Sequence, residues 1–298
     1  MKAIFFRSEI RIPELWLSCI KTFPVNGFET IIFSTHPQLH KEYLPSNIKC
    51  LESNKILSTN LLHKLKQDSQ KETWHYKAFS DFFRAKVMKK YPGSWYFDND
   101  IVCIKKINEY KEIQNLSKGK IILGRVSPDQ INGAVFSASD PEIINHYINL
   151  LYDFSEKKKH LHGWGETGPS FITWYSKNYP DNVFIVDKEY FYPIPMDQTN
   201  YFYDPNFKVE SFKKIKKSVC IHMWSECLEM ASMPLNMLPP ENSMANDLLK
   251  ERIELNKSIF LPLETTIKLI YPPKWGIKKT ILNLFPAIFR YLRKKLKL

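Results

Sequence analysis

Short apolar runs alternate with segments of helical spacing from the first residues onward, and that alternation restricts the chain to an α/β fold. Residues 2–6 and 30–33 read as strands. Between them, Pro13 followed by Glu14 opens a helix that runs to Ile20, with proline in the first turn. The chain thus begins β-α-β. Residues 36–73 are polar and read as irregular, apart from a helix around 61–66. Helical spacing over 76–90 ends at Tyr91-Pro92-Gly93, a stop signal. Strands follow at 95–97 and 101–104, and again at 121–123 and 134–137. Residues 142–154 and 169–176 read as helices and 183–186 as a strand. There is no internal repeat. The reading is one nucleotide-binding-type α/β domain over residues 1–260, followed by a tail over 261–298.

Composition agrees with a packed domain. The chain has 298 residues, 44% of them hydrophobic, which is ample for a core and excludes disorder, collagen and coiled coil as the main architecture. Five cysteines with no C-x-x-C pair argue against a disulfide scaffold and for a reducing compartment. No apolar run reaches the length of about 18 residues that a membrane span needs. The apolar stretch at 1–6 is too short for a signal-peptide core, so a cytoplasmic location is expected.

The formal net charge of +12 is unevenly spread. Residues 272–298 carry eight Lys or Arg and no Asp or Glu. Ile281, Phe285, Ile288, Phe289, Leu292 and Leu296 fall on one helical stripe there, with Trp275 near the start. A basic amphipathic tail of this kind fits the surface of an anionic membrane. A terminal helix packed on its own domain is the alternative. No zinc-finger, RNP or helix-turn-helix pattern supports nucleic acid as the partner.

The chemistry concentrates in Trp95-Tyr96-Phe97-Asp98-Asn99-Asp100-Ile101-Val102, where apolar residues flank two carboxylates. At the end of a buried strand, a turn lets both approach one site. Mg²⁺ and Mn²⁺ prefer oxygen ligands and often share them with substrate phosphates. Asp-x-Asp alone is weak, since solvated turns also contain it. Upstream, Ser80-Asp81-Phe82-Phe83-Arg84 places Asp81 and Arg84 on one helical face. A surface ion pair is the plainer reading of that spacing. Cys220-Ile221-His222 with Cys227 lacks zinc-finger spacing. The aromatic runs at 190–192 and 201–203 suit either an acceptor-stacking surface or packing.

Taken together, the runs Ala78-Phe79-Ser80-Asp81-Phe82-Phe83-Arg84 and Pro92-Gly93-Ser94-Trp95-Tyr96-Phe97-Asp98-Asn99-Asp100 resemble the "SD-x-x-R … GG-x-Y-x-D-x-D" pattern of glycosyltransferase family 32. Pro92-Gly93-Ser94 stands where the family often has a glycine pair. Three later segments extend the resemblance: Asn132-Gly133-Ala134-Val135, Gly165-Glu166-Thr167-Gly168-Pro169-Ser170, and His222-Met223-Trp224. The resemblance implies a GT-A fold, a nucleotide-sugar donor such as a UDP-sugar, Mn²⁺ or Mg²⁺, and retention of anomeric configuration. It further implies that Asp98, Asp100 and His222 hold the metal. Ser80, Asp81, Arg84, Asn132, Gly168, Pro169 and Trp224 would contact the donor. Glu166 is a candidate catalytic carboxylate for a double displacement, though a front-face route needs no protein nucleophile. The expected role is transfer of a hexose or N-acetylhexosamine to a glycan or lipid-linked glycan in bacterial lipopolysaccharide, O-antigen or capsule synthesis. The rivals are a toxin-like transferase acting on a protein, and a non-catalytic basic module.

Overall fold

The computed structural model describes residues 1–68, 74–157, 165–230, 235 and 238–250. The expected tail, and the histidine pair His160 and His162, lie outside the described residues. Nine strands are present among them: β1 Lys2–Arg7, β2 Glu29–Ser34, β3 Ile48–Glu52, β4 Trp95–Phe97, β5 Ile101–Cys103, β6 Ile121–Ser127, β7 Gln130–Ser137, β8 Val183–Val186 and β9 Cys220–His222. The helices are α1 Glu14–Ile20, α2 Thr22–Val25, α3 Pro37–Lys41, α4 Thr59–Asp68, α5 Trp74–Lys90, α6 Ile107–Ser117, α7 Pro141–Lys157, α8 Phe171–Asn178, α9 Lys188–Phe191, α10 Asn200–Tyr203, α11 Lys208–Lys214, α12 Ser225–Met230 and α13 Met244–Leu249.

Seven strands form one sheet in the order β3-β2-β1-β4-β7-β6-β8, and β5 pairs with β9 in a small second sheet. The β1–β2, β2–β3, β1–β4 and β6–β8 pairs are parallel, whereas β7 runs antiparallel to both β4 and β6. Both faces of the sheet are covered, which is why β1 and β2 are apolar at nearly every position rather than at alternate ones. Ala3 and Phe5 enter one core layer with Trp95, Phe97 and α1. Ile4 and Phe6 enter the other with Tyr96, Phe79 and Phe83 of α5, and Tyr147 of α7.

This topology positions the site. From β1 the chain winds outward through β2 to β3, then returns to place β4 on β1's opposite side. In an open α/β sheet, the crevice at the carboxyl ends of strands flanking such a reversal is where ligands bind. Here that crevice lies beyond Arg7 on β1 and Asp98 after β4.

The predicted helices at 14–20, 76–90 and 142–154 and the strands on either side of Asp98 are present within a few residues. The described part of segment 36–73, residues 36–68, is more ordered than expected. It contains α3 and the edge strand β3, whose exposed Lys49 and Glu52 hide the pattern. The short helices α9, α10 and α11 had no periodicity long enough to show.

Gly124 on β6 exposes a packing constraint. A Cβ there would meet the Tyr192 ring at 2.3 Å and Phe191 at 2.9 Å. Both rings are fully buried, so neither can swing aside. Gly124→Ala is expected to destabilise the fold by about 1–3 kcal/mol, read as a lower urea midpoint at unchanged m-value.

Candidate active site

The carboxyl ends of β1 and β4 open into a cleft of about 470 Å³. Its floor is the turn Asp98-Asn99-Asp100. The Asp98 amide donates to Ala134 O (2.8 Å), the Ile101 amide to Asp98 O (3.1 Å), and Asn99 Nδ2 to Phe6 O (3.0 Å). The turn is therefore fastened both to β7 and to the last turn of β1.

Beyond the turn, β5 pairs antiparallel with β9, and the register puts His222 opposite Ile101. Met223 N donates to Asp100 O (3.0 Å), and Ser225 N to Asp100 Oδ2 (2.8 Å). His222 Nε2 consequently lies 3.1 Å from Asp100 Oδ1. Burial works against ionising Asp100, but His222 and the Ser225 amide hold its pKa down at about 2.

A second cluster forms around Arg84, which is buried on α5. Its guanidinium is 3.0 Å from Asp81 Oδ1 and 3.6 Å from Asp98 Oδ1. It also lies over the Tyr96 ring, 5.0 Å from the centroid. Tyr96 OH donates to Asp98 Oδ1 (2.9 Å), and Thr167 Oγ1 to Asp81 Oδ2 (2.8 Å). Burial opposes the charge on Arg84, and Asp98 with Asp81 overcomes it. Burial raises the Asp81 pKa to about 6, with Arg84 and Thr167 pulling against it and Asp98 adding to the rise.

Two glycines make room for this cluster. A Cβ on Gly133 would come within 2.6 Å of Arg84 NH1 and 2.5 Å of Ile172, and one on Gly168 within 3.0 Å of the Asp81 carboxylate.

The sequence-derived candidates Ser80, Asp81, Arg84, Asp98, Asp100, Asn132, Glu166, Pro169, His222 and Trp224 all line this one cleft. Gly168 packs against the Asp81 carboxylate, where a Cβ would come within 3.0 Å of its oxygens. The surface reading of the Asp81–Arg84 pair also fails, because both groups are buried. Asn132 turns its Oδ1 onto Ala134 N (2.7 Å). Trp224 is buried with its indole N–H on Ile194 O (2.8 Å), and its ring is 4.0 Å from that of His222. Most of the aromatic residues at 190–192 and 201–203 pack into the core, with Tyr190 exposed.

Several lining residues escaped the sequence reading. Arg7, Ser8, Glu9 and Trp16 form the β1 side, where the Arg7 guanidinium sits 4.3 Å above the Trp16 ring centroid and pairs with Glu9. A buried arginine closing an apolar strand was the signal available. His75, Tyr76 and Lys77 line the opposite side, with Lys77 ion-paired to Glu226 of α12.

Whether these residues fit a divalent ion can be tested on spacing. Two ligand atoms on adjacent vertices of an octahedral ion, each at about 2.1 Å, lie about 3 Å apart. Asp100 Oδ1 and His222 Nε2 meet that condition. Asp98 instead faces Tyr96 and Arg84, and among the described residues no three His, Cys, Asp or Glu side chains converge. The arrangement fits an ion with two adjacent protein ligands and Asp98 beside them.

Residues 151–250 match the family described as "Alpha 1,4-glycosyltransferase conserved region". The match covers about a third of the chain and runs from α7 through β8 and β9 to α13. No curated protein sequence matches the chain. Solved structures similar to it include the apo form of mouse xyloside xylosyltransferase 1, at 12% identity and TM-score 0.46 over 74% of this chain and 96% of that one. The galactosyltransferase LgtC in complex with donor and acceptor sugar analogues gives 9% identity and TM-score 0.46, over 74% and 86%. A glycosyltransferase involved in glycosylation of the major capsid of PBCV-1 gives 10% and 0.37, over 75% and 94%.

The matched region, 151–250, includes His222, Trp224 and the segment from Glu166 to Pro169, while Asp81, Arg84 and the acidic turn precede it. Because the folded state holds a proton on Asp81 up to about pH 6, against an ordinary 3.8, this group's stabilisation is complete below about pH 4 and lost as pH rises through 6. Asp81→Asn is therefore expected to flatten that part of the stability profile, by the order of 2 kcal/mol. Thermal melts of both proteins from pH 4 to about pH 7 check it; parallel curves would exclude a buried, titrating Asp81.

Proposed function

We propose that this glycosyltransferase is metal-dependent and retaining, and that it moves a hexose or N-acetylhexosamine from a nucleotide-diphosphate sugar, a UDP-sugar, to a glycan acceptor. We place its role in bacterial surface polysaccharide synthesis (lipopolysaccharide, O-antigen or capsule), on a lipid-linked acceptor at the inner face of the cytoplasmic membrane. The observation that carries the reading is the pairing of Asp100 with His222 at the floor of the switch-point cleft, with Asp98 in the same turn.

Breaking a sugar–phosphate bond leaves a nucleoside diphosphate with new negative charge. Mn²⁺ or Mg²⁺ held by Asp100 and His222, with Asp98 beside them, would supply Lewis-acid stabilisation of that charge. The chain's own residues do the rest. The β5–β9 register and the Ser225 amide hold Asp100 and His222 facing each other. Tyr96 and Arg84 hold the Asp98 carboxylate beside that pair. Asp81 and Arg84, locked by Thr167, are the groups for the donor sugar hydroxyls. Glu166 and Pro169 line the cleft, and this wall would receive the acceptor. Trp224, ringed by His222 and Tyr192, covers the diphosphate end. The basic tail at 272–298 supports the membrane-side location by its charge and apolar stripe.

Asp100→Ala is expected to lower both transfer and donor hydrolysis by roughly a hundredfold or more while the melting profile stays cooperative. His222→Ala should weaken Mn²⁺ binding measured by titration in the presence of UDP by about tenfold. Normal turnover in excess chelator would overturn metal dependence. Unchanged Mn²⁺ affinity with lowered stability would reduce His222 to a packing residue.

A further inference from the structure

The folded body carries a second surface that glycosyl transfer does not use. On α11 and the segment after it, Ser211, Ile215 and Ser218 face inward and are buried. The outward positions hold Val209 at 69% exposure and Phe212 at 37%, three residues apart on one helical face, with Lys213, Lys216 and Lys217 exposed beside them. Ser218 Oγ donates to Glu189 O (2.6 Å) and Val219 N to Tyr190 O (2.9 Å), which fastens the end of this segment to α9.

The charge balance is positive. Residues 208–217 include Lys208, Lys213, Lys214, Lys216 and Lys217 against the single acid Glu210. Lys208 pairs with Asp247 and Lys217 with Glu189, while Lys214 rests over the Tyr201 ring. An aromatic and aliphatic tip ringed by lysines is what the boundary of an anionic bilayer takes up: apolar groups enter the acyl edge and long basic side chains reach the headgroups.

The position of the chain supports the same occupant. Lys250, the last described residue, pairs with Asp247, which pairs in turn with Lys208 at the first position of α11. The following sequence includes the stretch 272–298 with its eight basic and no acidic residues.

We propose that the α11 face, centred on Val209, Phe212, Lys213 and Lys216, is a membrane-contact surface for anionic lipid, separate from the C-terminal tail. The proposal rests on the reading that the enzyme works at an anionic membrane. It adds that the body docks in a fixed orientation, because a tail alone would leave the cleft free to tumble.

Full-length protein is tested by co-sedimentation with vesicles of phosphatidylcholine plus phosphatidylglycerol, and with phosphatidylcholine alone. Two double variants retain the tail and all cleft residues: Lys213→Glu with Lys216→Glu, and Val209→Ser with Phe212→Ser. Thermal melts establish that each stays folded. The charge pair is expected to lower partitioning onto anionic vesicles by about tenfold or more, with the difference shrinking in high salt. The apolar pair should lower it by about fivefold with little salt dependence. Unchanged binding of both variants would overturn the proposal and leave the tail as the sole anchor. Loss of RNA binding with vesicle binding intact would overturn it in favour of nucleic acid. Donor hydrolysis by the same preparations separates the two readings: a wild type that hydrolyses no donor yet loses vesicles on substitution keeps the surface and drops the catalytic assignment.

Discussion

A buried guanidinium organises this active site. Arg84 lies in the interior on α5 with two carboxylates for company, Asp81 one turn back and Asp98 at the end of β4. Removing a charge from water is costly unless it is paired and hydrogen-bonded, and breaking such a pair is far worse than never having built it. Every element that meets at the cleft therefore answers to Arg84. β7 supplies glycine where its guanidinium passes, the 166–170 turn supplies Gly168 and Thr167 around its partner Asp81, and β4 ends in a carboxylate within its reach.

The second organising relation is a register. His222 and Asp100 are far apart in sequence, and they meet because β5 and β9 pair with Ile101 opposite His222. A shift of one residue would turn the imidazole to the other side of the ribbon. The small two-stranded sheet buries Ile101, Val102, Cys103, Cys220 and Ile221 in the core and stitches the region matched at 151–250 to the acidic turn.

Much of this was legible beforehand, and the boundary of legibility has physical causes. The Asp-Asn-Asp turn showed itself because buried strands on both sides leave no bland place for two acids. Asp81 and Arg84 were visible as a helical pair, but not as a buried one, since spacing reports a shared face and not what covers it. His222 was reachable only through resemblance, because a three-residue strand has no periodicity and its pairing is entirely non-local. The β1 wall of Arg7, Ser8, Glu9 and Trp16 went unread for the same reason: strand order, not local sequence, brings it beside Asp98. Gly168 is close to the Asp81 carboxylate, a packing requirement that its motif alone did not reveal.

Trp224 adopts a left-handed backbone, with φ of 52°, although it is not glycine. A bulky residue in that region costs on the order of 1–2 kcal/mol, and here the cost is offset by the indole bond to Ile194 and the Ser225 amide on Asp100. Those two bonds and the strain form a loaded spring. Whatever withdraws Asp100 from Ser225 leaves the segment with less reason to stay coiled, and relaxation would recover the stored energy. The left-handed turn at Trp224 is thus held by contacts that lie on the floor of the cleft.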